Sequence, residues 1–246
     1  MKKIKNSLND SSNLLPTVRV VVEKLGVFQY TETSDTLDVD QRKPTLLENG
    51  AIYVGEWNKD NQRHGKGKVF FKDGSIFEGH WLFGMVSGLG RHIHSDGAYY
   101  LGQWKDDMVH GRGILMHKDG ASYDGEWSCD QQHGYGTEKW PDGTVFKGEF
   151  QDGAKTGKGK FIWADGSYYE GDFVENVIEG FGIYNWIDGR RYEGTWKDNK
   201  MHERGTFTWP DGRKYEGGYH NDKKHGVGTF TWPNGKCYEG NWSDGK

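Results

Sequence analysis

Ten histidines are the residues of this chain whose chemistry could serve a metal site. His92 and His94 are separated by one residue, so in a strand they would share a face and could chelate a metal ion. The pair lacks a third ligand, which a metal site in a protein needs. Four further histidines recur at spacings of 23 residues or its multiples, which indicates hydrogen-bonding loop residues: His64, His110, His133 and His225. The sequence predicts no metal site.

The carboxylates that could act in acid–base catalysis also recur with this spacing: Asp124, Glu126, Glu170, Asp172, Glu193 and Glu216. Recurrence in every repeat indicates solvated positions that pair with Lys or Arg across strands, and not one catalytic site. Gly65-Lys66-Gly67 is not a phosphate loop, because no Lys-Ser/Thr pair and no helix pattern follow it. No nucleophile elbow or Cys/His pair is evident. We expect a non-enzymatic protein without a cofactor.

The elements that position these residues must form from an unusual composition. The 246 residues include 38 Gly, 11 Trp, 13 Tyr and 12 Phe, and the mean hydropathy is −0.91. Low hydropathy alone is typical of disorder, but aromatic side chains each bury a large area. The composition therefore predicts a thin fold with an aromatic core.

Net charge and cysteine usage indicate which binding partners and which cellular compartment to expect. The formal net charge is −4 and the signs alternate locally, so the clustered cations that bind phosphates are missing and no nucleic-acid partner is expected. Cys129 and Cys237 form neither a disulfide framework nor a metal pattern. Neither a signal peptide nor a membrane-spanning apolar run is recognisable. We expect a cytoplasmic protein that is not secreted and has no transmembrane segment.

Three glycine patterns repeat with one period. The turn glycine recurs every 23 residues from Gly74 to Gly235, and the last glycine of the His-Gly-x-Gly unit does so from Gly67 to Gly228. The glycine between two aromatic residues keeps the same spacing from Gly79 onwards. Eight complete repeats and a partial ninth begin at these residues: Tyr53, Phe77, Tyr100, Tyr123, Phe146, Tyr169, Tyr192, Tyr215 and Tyr238. The sequence thus divides into a non-repeat segment, 1–48, and a repeat array, 53–246.

Each repeat has the pattern of a β-hairpin. In residues 215–219 (YEGGY) and 228–232 (GTFTW), aromatic residues and glycine alternate with polar residues, which predicts strands. Asn234-Gly235 is a strong turn signal. Glycine within a strand is costly, so Gly217 indicates a gap that receives a ring from the neighbouring strand. The pattern predicts an all-β fold: an elongated single-layer antiparallel sheet of tandem 23-residue hairpins, as in a solenoid.

The repeat resembles the MORN (membrane occupation and recognition nexus) repeat: Tyr-x-Gly-x-Trp, a short loop, His-Gly-x-Gly, an aromatic strand and Asp-Gly. Residues 123–127 (YDGEW), 133–136 (HGYG) and 142–143 (DG) fit this pattern fully. Other repeats place Phe or Tyr at the Trp position and Ser, Thr or Glu at the His position. Glu203 replaces the first glycine of its unit, which bears on the loop conformation of the seventh repeat.

This resemblance implies a curved single-layer sheet with an aromatic-lined groove. It also implies a protein that scaffolds, dimerises and docks partner segments or membranes at the cytoskeleton, as members do in radial spokes and ciliary bases. The leading hypothesis is a scaffold or adapter in a cytoskeletal or ciliary/axonemal assembly. One alternative is a peripheral module that binds anionic phospholipids through Arg190-Arg191, Arg213-Lys214 and Lys223-Lys224. Another is a regulatory subunit of a separate enzyme.

Tryptophans near the strand ends are the candidate partner-binding residues. They recur every 23 residues and either line the groove or pack fully inside the sheet: Trp140, Trp163, Trp186, Trp209 and Trp232. An uncovered aromatic face marks an interaction site, and the partner would be a helical or extended protein segment. Tyr238 and Trp242 lie in the partial ninth repeat, where an edge strand is expected to pair. That edge predicts an end-to-end homodimer or a further partner.

The segment before the repeats differs from them in composition. Residues 16–30 have the pattern of a short strand or an amphipathic segment, and residues 31–43 that of a polar linker. A repeat array needs its ends covered, so we expect residues 16–30 to cap the array or to fold back into the groove of the first repeats. A flexible tail is the alternative.

Overall fold

The computed structural model describes residues 13–31 and 39–246. Apart from one helix, the regular structure in these residues consists of antiparallel β-strands. The chain divides into two compact units, Met1–Gln131 and Gln132–Lys246. In each unit, consecutive strands pair as hairpins, so the prediction of an all-β fold built from tandem hairpins is confirmed.

Among its described residues, the first unit contains one helix, α1 (Pro16–Leu25), and nine strands. β1 and β2 both pair with β3, and from β3 onwards each strand pairs with the next. The strands are β1 Asp40–Gln41, β2 Thr45–Leu46, β3 Ile52–Trp57, β4 Arg63–Phe70, β5 Ile76–Leu82, β6 Met85–Ile93, β7 Tyr99–Lys105, β8 Met108–Met116 and β9 Ser122–Ser128.

The second unit is a continuous series of hairpins. Each strand from β10 onwards pairs antiparallel with the next one in sequence. The strands are β10 Gln131–Lys139, β11 Val145–Gln151, β12 Ala154–Ile162, β13 Tyr168–Val174, β14 Val177–Asn185, β15 Arg191–Lys197, β16 Lys200–Thr208, β17 Lys214–His220, β18 Lys223–Thr231 and β19 Cys237–Trp242.

Side-chain alternation gives each strand two different faces. We call the face that bears the first aromatic residue of each repeat the aromatic face, and the opposite one the reverse face. In β15, Tyr192 and Gly194 lie on the aromatic face and Glu193 on the reverse face. The register preserves this division because Tyr192 pairs with Phe207 and Gly194 with Gly205.

Two kinds of turn join the strands. The Asp-Gly turn between β10 and β11 is closed by the amide of Trp140, which donates to the carbonyl of Thr144 at 2.9 Å, and Gly143 adopts a φ of 93°. The turn within each hairpin has only two residues, except in the first hairpin, where residues 58–62 join β3 to β4. In the turn between β15 and β16, Asp198 (φ 49°) and Asn199 (φ 62°) are both left-handed, as a type I′ turn requires.

A β-bulge interrupts the second strand of each hairpin at the first glycine of the His-Gly-x-Gly unit. In β18 this residue is Gly226, with a φ of 72°, and the register with β17 shifts between Gly217 and Tyr219. Glu203 occupies the same position in β16 and takes a φ of 55°. The substitution therefore keeps the bulge, although a side chain at positive φ carries strain.

Residues 13–31 form a segment that we call the strap. Its helix α1 begins with Pro16, a favoured first residue, and ends at Leu25. The amide of the next residue, Gly26, caps the helix by donating to the carbonyl of Val22 at 2.9 Å. Val18 is fully buried. The other apolar residues of the strap that pack on the sheet recur with helical spacing: Leu14, Val21, Val22 and Leu25.

The strap covers the reverse face of the first unit. Val18 packs in a cluster with Ile76, Ile93 and Tyr99, whose side chains alternate with the aromatic ones. The sequence hypothesis of a fold-back into the groove placed this segment on the aromatic face. The helix packs on the opposite face because the apolar surface that matches it lies there. Residues 1–12 and 32–38 of the predicted non-repeat segment and linker lie outside the described residues.

Candidate partner-binding surfaces

The core of the aromatic face is a zigzag of edge-to-face rings. In the second unit, the ring of Tyr192 lies 5.1 Å from that of Trp196 in its own strand, at 89°. It also lies 5.1 Å from the ring of Tyr219 in the next repeat, at 82°. This perpendicular geometry is favourable for aromatic pairs. Within each unit, successive repeats are thus linked by the same kind of contact.

Paired glycines provide the space for these rings. Gly194 faces Gly205, and a Cβ on Gly205 would lie 2.4 Å from the ring of Tyr192. A Cβ on Gly194 would lie 2.5 Å from the Cα of Gly205. The sequence expectation that a glycine within a strand leaves a gap for a ring agrees with this packing, but the ring at Gly217 is that of Tyr215 in its own strand and not one from the neighbouring strand.

The hydroxyls of the tyrosines that open the repeats are satisfied by backbone carbonyls, whereas that of Tyr219 is buried without a hydrogen-bond partner among the described residues. Tyr192 donates to the carbonyl of Thr195 at 3.0 Å, and Tyr169 donates to that of Asp172 at 3.1 Å. Burial raises the pKa of both phenols above the ordinary value. These hydroxyls are therefore structural groups.

The five predicted partner-binding tryptophans lie in one row of rings along the turns of the second unit. Each follows the end of a strand and opens an Asp-Gly or Asn-Gly turn. Between consecutive tryptophans lies one aromatic ring from the intervening strand, and neighbouring centroids are 4.4–5.7 Å apart. We call this row the tryptophan ladder: Trp140, Phe161, Trp163, Tyr184, Trp186, Phe207, Trp209, Phe230 and Trp232.

Burial of the tryptophans falls between the two alternatives that the sequence left open. Four of them are half-buried and Trp232 is 41% exposed. Within the second unit, the described residues form only strands and turns, so no helix covers this row. The tryptophan ladder is therefore both packing and accessible surface.

The two predicted edge residues differ in their surroundings. Trp242 is partly buried: its indole nitrogen donates to the carbonyl of Gly228 at 3.1 Å, and its ring lies 5.2 Å from Tyr215. Tyr238 is exposed and contacts Trp242 at 5.5 Å. Trp242 thus continues the core zigzag, whereas Tyr238 offers a free ring surface on β19.

Two lysines, Lys155 and Lys224, lie inside aromatic cages that the sequence analysis did not find. The ammonium of Lys155 lies 5.0–5.6 Å from the ring centroids of Trp140, Phe146 and Phe150. The ammonium of Lys224 lies 4.7–5.1 Å from the ring centroids of four aromatic residues: Trp209, Tyr215, Phe230 and Trp242. Burial, followed by the charge of Arg213, lowers the pKa of Lys224. The signal of this cage in the sequence is that Lys224 stands at a repeat position that holds apolar residues, Ile178 and Met201, in the two preceding repeats.

Asp and Asn side chains also link successive hairpins, which the sequence analysis did not predict. The carboxylate of Asp222 accepts from the amide of Met201 at 2.8 Å, and the amide of Asp222 donates to the carbonyl of Met201 at 3.0 Å. Asn199 makes the same two contacts with Ile178. Their signal in the sequence is an Asp or Asn at the second position of the two-residue turn.

The basic pairs of the lipid hypothesis lie beside carboxylates or aromatic rings. Arg190 contacts Asp188, and Arg191 contacts Glu193, each at 2.7 Å. Arg213 and Lys214 contact Asp211 and Glu216 at the same distance, and Lys223 lies 4.0 Å from Asp244. Carboxylates thus lie beside five of the six basic residues, and Lys224 is surrounded by aromatic rings, so the pairs do not form one uncompensated basic cluster.

The histidine pair His92 and His94 stacks with ring centroids 4.2 Å apart. Nε2 of His92 is buried without a hydrogen-bond partner, and burial lowers its pKa to about 4, with a smaller effect of His94 in the same direction. His64, one of the recurring loop histidines, accepts from the amide of Phe83 at 3.4 Å. Across residues 13–31 and 39–246, no group of three His, Cys, Asp or Glu side chains could hold a metal ion.

A series of hairpins whose rings fill paired glycine gaps defines a tandem β-hairpin repeat protein. The family model for the MORN repeat matches the chain nine times, and the chain belongs to the MORN-repeat family. The first eight matches begin at Tyr53 and end at residue 237, and the ninth spans 238–246. All nine begin at the residues that open the repeats in the sequence analysis, so the family prediction is confirmed.

The solved structures that match this chain are distant in sequence. The TCP10 domain of Danio rerio CPAP is 14% identical, the match covers 81% of this chain and 94% of that one, and the TM-score is 0.45. The TCP domain of Drosophila melanogaster SAS-4, solved with a proline-rich motif of Ana2, is 10% identical, with 88% and 97% covered and a TM-score of 0.23. At such scores the likeness carries no argument about function.

The length and polarity of the helix also bear on membrane association. No helix in the described parts of the chain is long and apolar enough to cross a membrane.

Proposed function

We propose that this protein is a non-enzymatic scaffold or adapter that docks segments of partner proteins on its aromatic face, in a cytoplasmic cytoskeletal or ciliary/axonemal assembly. One observation carries the proposal: the tryptophan ladder is continuous, yet its rings keep accessible surface. Half-buried tryptophans held rigidly by their neighbours are typical anchors of protein interfaces. An amphipathic helix or an extended segment lying along the ladder would cover them.

Detergent fractionation of cells that express the full chain tests this proposal. We expect the wild-type protein to remain in the detergent-insoluble pellet and the double variant Trp186→Ser/Trp209→Ser to become soluble. The matched control is Ile187→Ser, because Ile187 lies next to Trp186 in the same turn but is exposed. Circular dichroism checks that each variant keeps its strands. Equal retention of a folded double variant would show that the tryptophan ladder is not the docking surface.

The same experiment separates the lipid alternative from the scaffold. A protein that binds anionic phospholipids would sediment with membranes and leave the pellet when detergent is added. The scaffold proposal requires retention after detergent. Release by detergent, together with binding to phosphatidylserine vesicles that decreases with salt, would overturn the scaffold in favour of the lipid hypothesis.

We further propose that β19 forms an end-to-end contact through Tyr238, with a second copy of the chain as the partner. Tyr238 is exposed beside the packed ring of Trp242, on a strand that pairs with β18 on one side. Sedimentation equilibrium at tens of micromolar should give a dimer for the wild type and a monomer for Tyr238→Lys. A wild-type monomer at this concentration would exclude the contact.

A further inference from the structure

The strap binds the first unit through a short extended stretch after α1 as well as through the helix. The rings of Phe28 and Tyr30 lie on the reverse face and contact each other at 4.9 Å. The hydroxyl of Tyr30 donates to the carbonyl of Gly67 at 3.0 Å, and Nε2 of His80 lies 3.0 Å from the carbonyl oxygen of Thr31. The bound motif is thus two aromatic residues separated by one, with backbone contacts at its end.

Charged residues of the sheet complete this binding site. Arg91 donates to the carbonyl of Gly26 at 2.9 Å, and its guanidinium lies 5.6 Å from the ring of Phe28. Glu78 pairs with Arg91 and, at 3.0 Å, with Lys68. The strap therefore lies over a charge cluster whose central members are almost completely buried.

The repeat period places the same arrangement four repeats later, in the second unit. Adding 92 residues, four periods of 23, converts Gly67, Lys68 and Glu78 into Gly159, Lys160 and Glu170. The lysine–glutamate distance is again 3.0 Å. Leu89 becomes Phe181, and the two polar side chains that contact the strap backbone are replaced: His80 becomes Asp172 and Arg91 becomes Ile183. The second unit thus repeats the backbone and the ion pair of the strap site, with a more apolar wall.

This second location is an open cavity of about 460 Å³ on the reverse face. Gly159, Lys160, Glu170, Phe181 and Ile183 all line it, and Tyr135 and Lys147 form the other side. Phe181 is 53% exposed, which is unusual for a phenylalanine in a strand. The strap is not its occupant, because Val18 and the aromatic pair hold the strap on the first unit.

The charges of the cavity indicate the chemistry of its occupant. Lys160 pairs with Glu170 at 3.0 Å, and Lys158 pairs with Asp172 at 2.6 Å. Lys147 also lines the cavity, and it makes no ion pair within the part of the chain that the structure describes. A carboxylate on the bound segment would supply the missing partner of Lys147.

We propose that this cavity binds an extended segment of another protein that carries two aromatic residues separated by one residue, next to an acidic residue. The precedent is the Phe28-x-Tyr30 stretch of the strap on the equivalent surface. This surface lies on the face opposite the tryptophan ladder, so the inference goes beyond the proposed function and does not depend on it.

A peptide that copies the strap provides the probe. The capped, fluorescein-labelled heptapeptide Gly-Val-Phe-Gln-Tyr-Thr-Glu, the sequence of residues 26–32, is titrated with the full chain while anisotropy is recorded. We expect saturable binding that weakens about tenfold in Phe181→Ser, because an aromatic anchor is lost. Lys147→Glu should weaken binding as well. A peptide in which Ser replaces both aromatic residues should not bind.

Val227→Ser is the matched control variant. Val227 lies on the same strand position two repeats after Phe181, is exposed and is not part of the cavity. Peptide binding should be unchanged in this variant and in Trp186→Ser/Trp209→Ser. The experiment therefore tests the cavity separately from docking on the aromatic face. Absence of saturable binding, or equal affinity of Phe181→Ser and wild type, would overturn the proposal.

Discussion

The reverse faces of the two units carry the same ion pair in different surroundings. Lys68–Glu78 in the first unit and Lys160–Glu170 in the second both span 3.0 Å. The glutamate side chain is 12% exposed beneath the strap and 60% exposed on the open face. The repeat sets the geometry of the pair, whereas a segment outside the repeat sets its contact with water.

Because of this difference, the same ion pair contributes differently to the stability of the two units. An exposed pair is screened by water and contributes little to stability. A buried ion pair is stable only when each of its charges has a partner, because a buried charge without a partner is costly. In the first unit, Arg91 provides this compensation and also binds the strap through the carbonyl of Gly26. The second unit has Ile183 at that position and no such requirement.

The largest expected effect separates the two glutamates. Glu78→Gln removes the only carboxylate between Lys68 and Arg91 in the cluster described above, so we expect a loss of about 3–5 kcal/mol in the free energy of unfolding. Glu170→Gln should cost no more than about 1 kcal/mol because its pair is exposed. Urea unfolding followed by tryptophan fluorescence measures both values.

A second substitution sharpens this comparison. Arg91→Ile introduces the residue that the second unit has at the equivalent position, and in the Glu78→Gln background it should recover part of the lost stability. The recovery is expected because one of the two uncompensated cations is removed. Equal losses for Glu78→Gln and Glu170→Gln would show that the strap does not isolate the pair from water.

Most of the aromatic face could be predicted from the sequence because its determinants are local. Gly217 and Gly228 are spaced so that a hairpin pairs them, and the ring of Tyr215 fills the gap they leave. The turn within each hairpin was less predictable. Asn221-Asp222-Lys223-Lys224 is polar throughout, yet only the first two residues form the turn, since β18 begins at Lys223.

Long-range contacts account for the features that the sequence did not predict. The alternation of residues in β5 shows that Ile76 and Phe77 lie on opposite faces. It does not show against which of these faces Val18, from a distant segment, packs. The cage of Lys224 combines rings from three repeats, so no single repeat contains it. The cavity beside Phe181 was missed for the same reason, because its walls come from several strands.

The units should also differ in how the free energy of unfolding depends on pH. Burial lowers the pKa of His92 from 6.5 to about 4, and His94 and Asp73 are the charged neighbours. Because the folded state keeps His92 neutral, its contribution is intact above pH 6.5 and is lost as the pH falls towards 4. The full loss amounts to about 3 kcal/mol. Four repeats later, in the second unit, this position holds Tyr184 and not a histidine.

The variant His92→Phe tests this assignment. The difference in urea midpoint between pH 7 and pH 4 should become smaller in His92→Phe than in the wild type. His117→Gln, at an exposed histidine of the same unit, serves as the control and should leave the difference unchanged. An identical pH response of His92→Phe and wild type would mean that the pKa of His92 is the same in the folded and unfolded states.

The smallest expected effect concerns one hydroxyl of the strap. Tyr30→Phe removes the hydrogen bond to the carbonyl of Gly67 but keeps the ring contact with Phe28, so we expect a loss of about 1 kcal/mol. Tyr135→Phe, at an exposed tyrosine of the open reverse face, should change the free energy of unfolding by less. Hydrogen exchange of α1 amides should quicken in Tyr30→Phe alone, because the strap opens more often. If both variants exchange like the wild type, the helix holds the strap without Tyr30, and the hydroxyl serves only to satisfy a buried carbonyl.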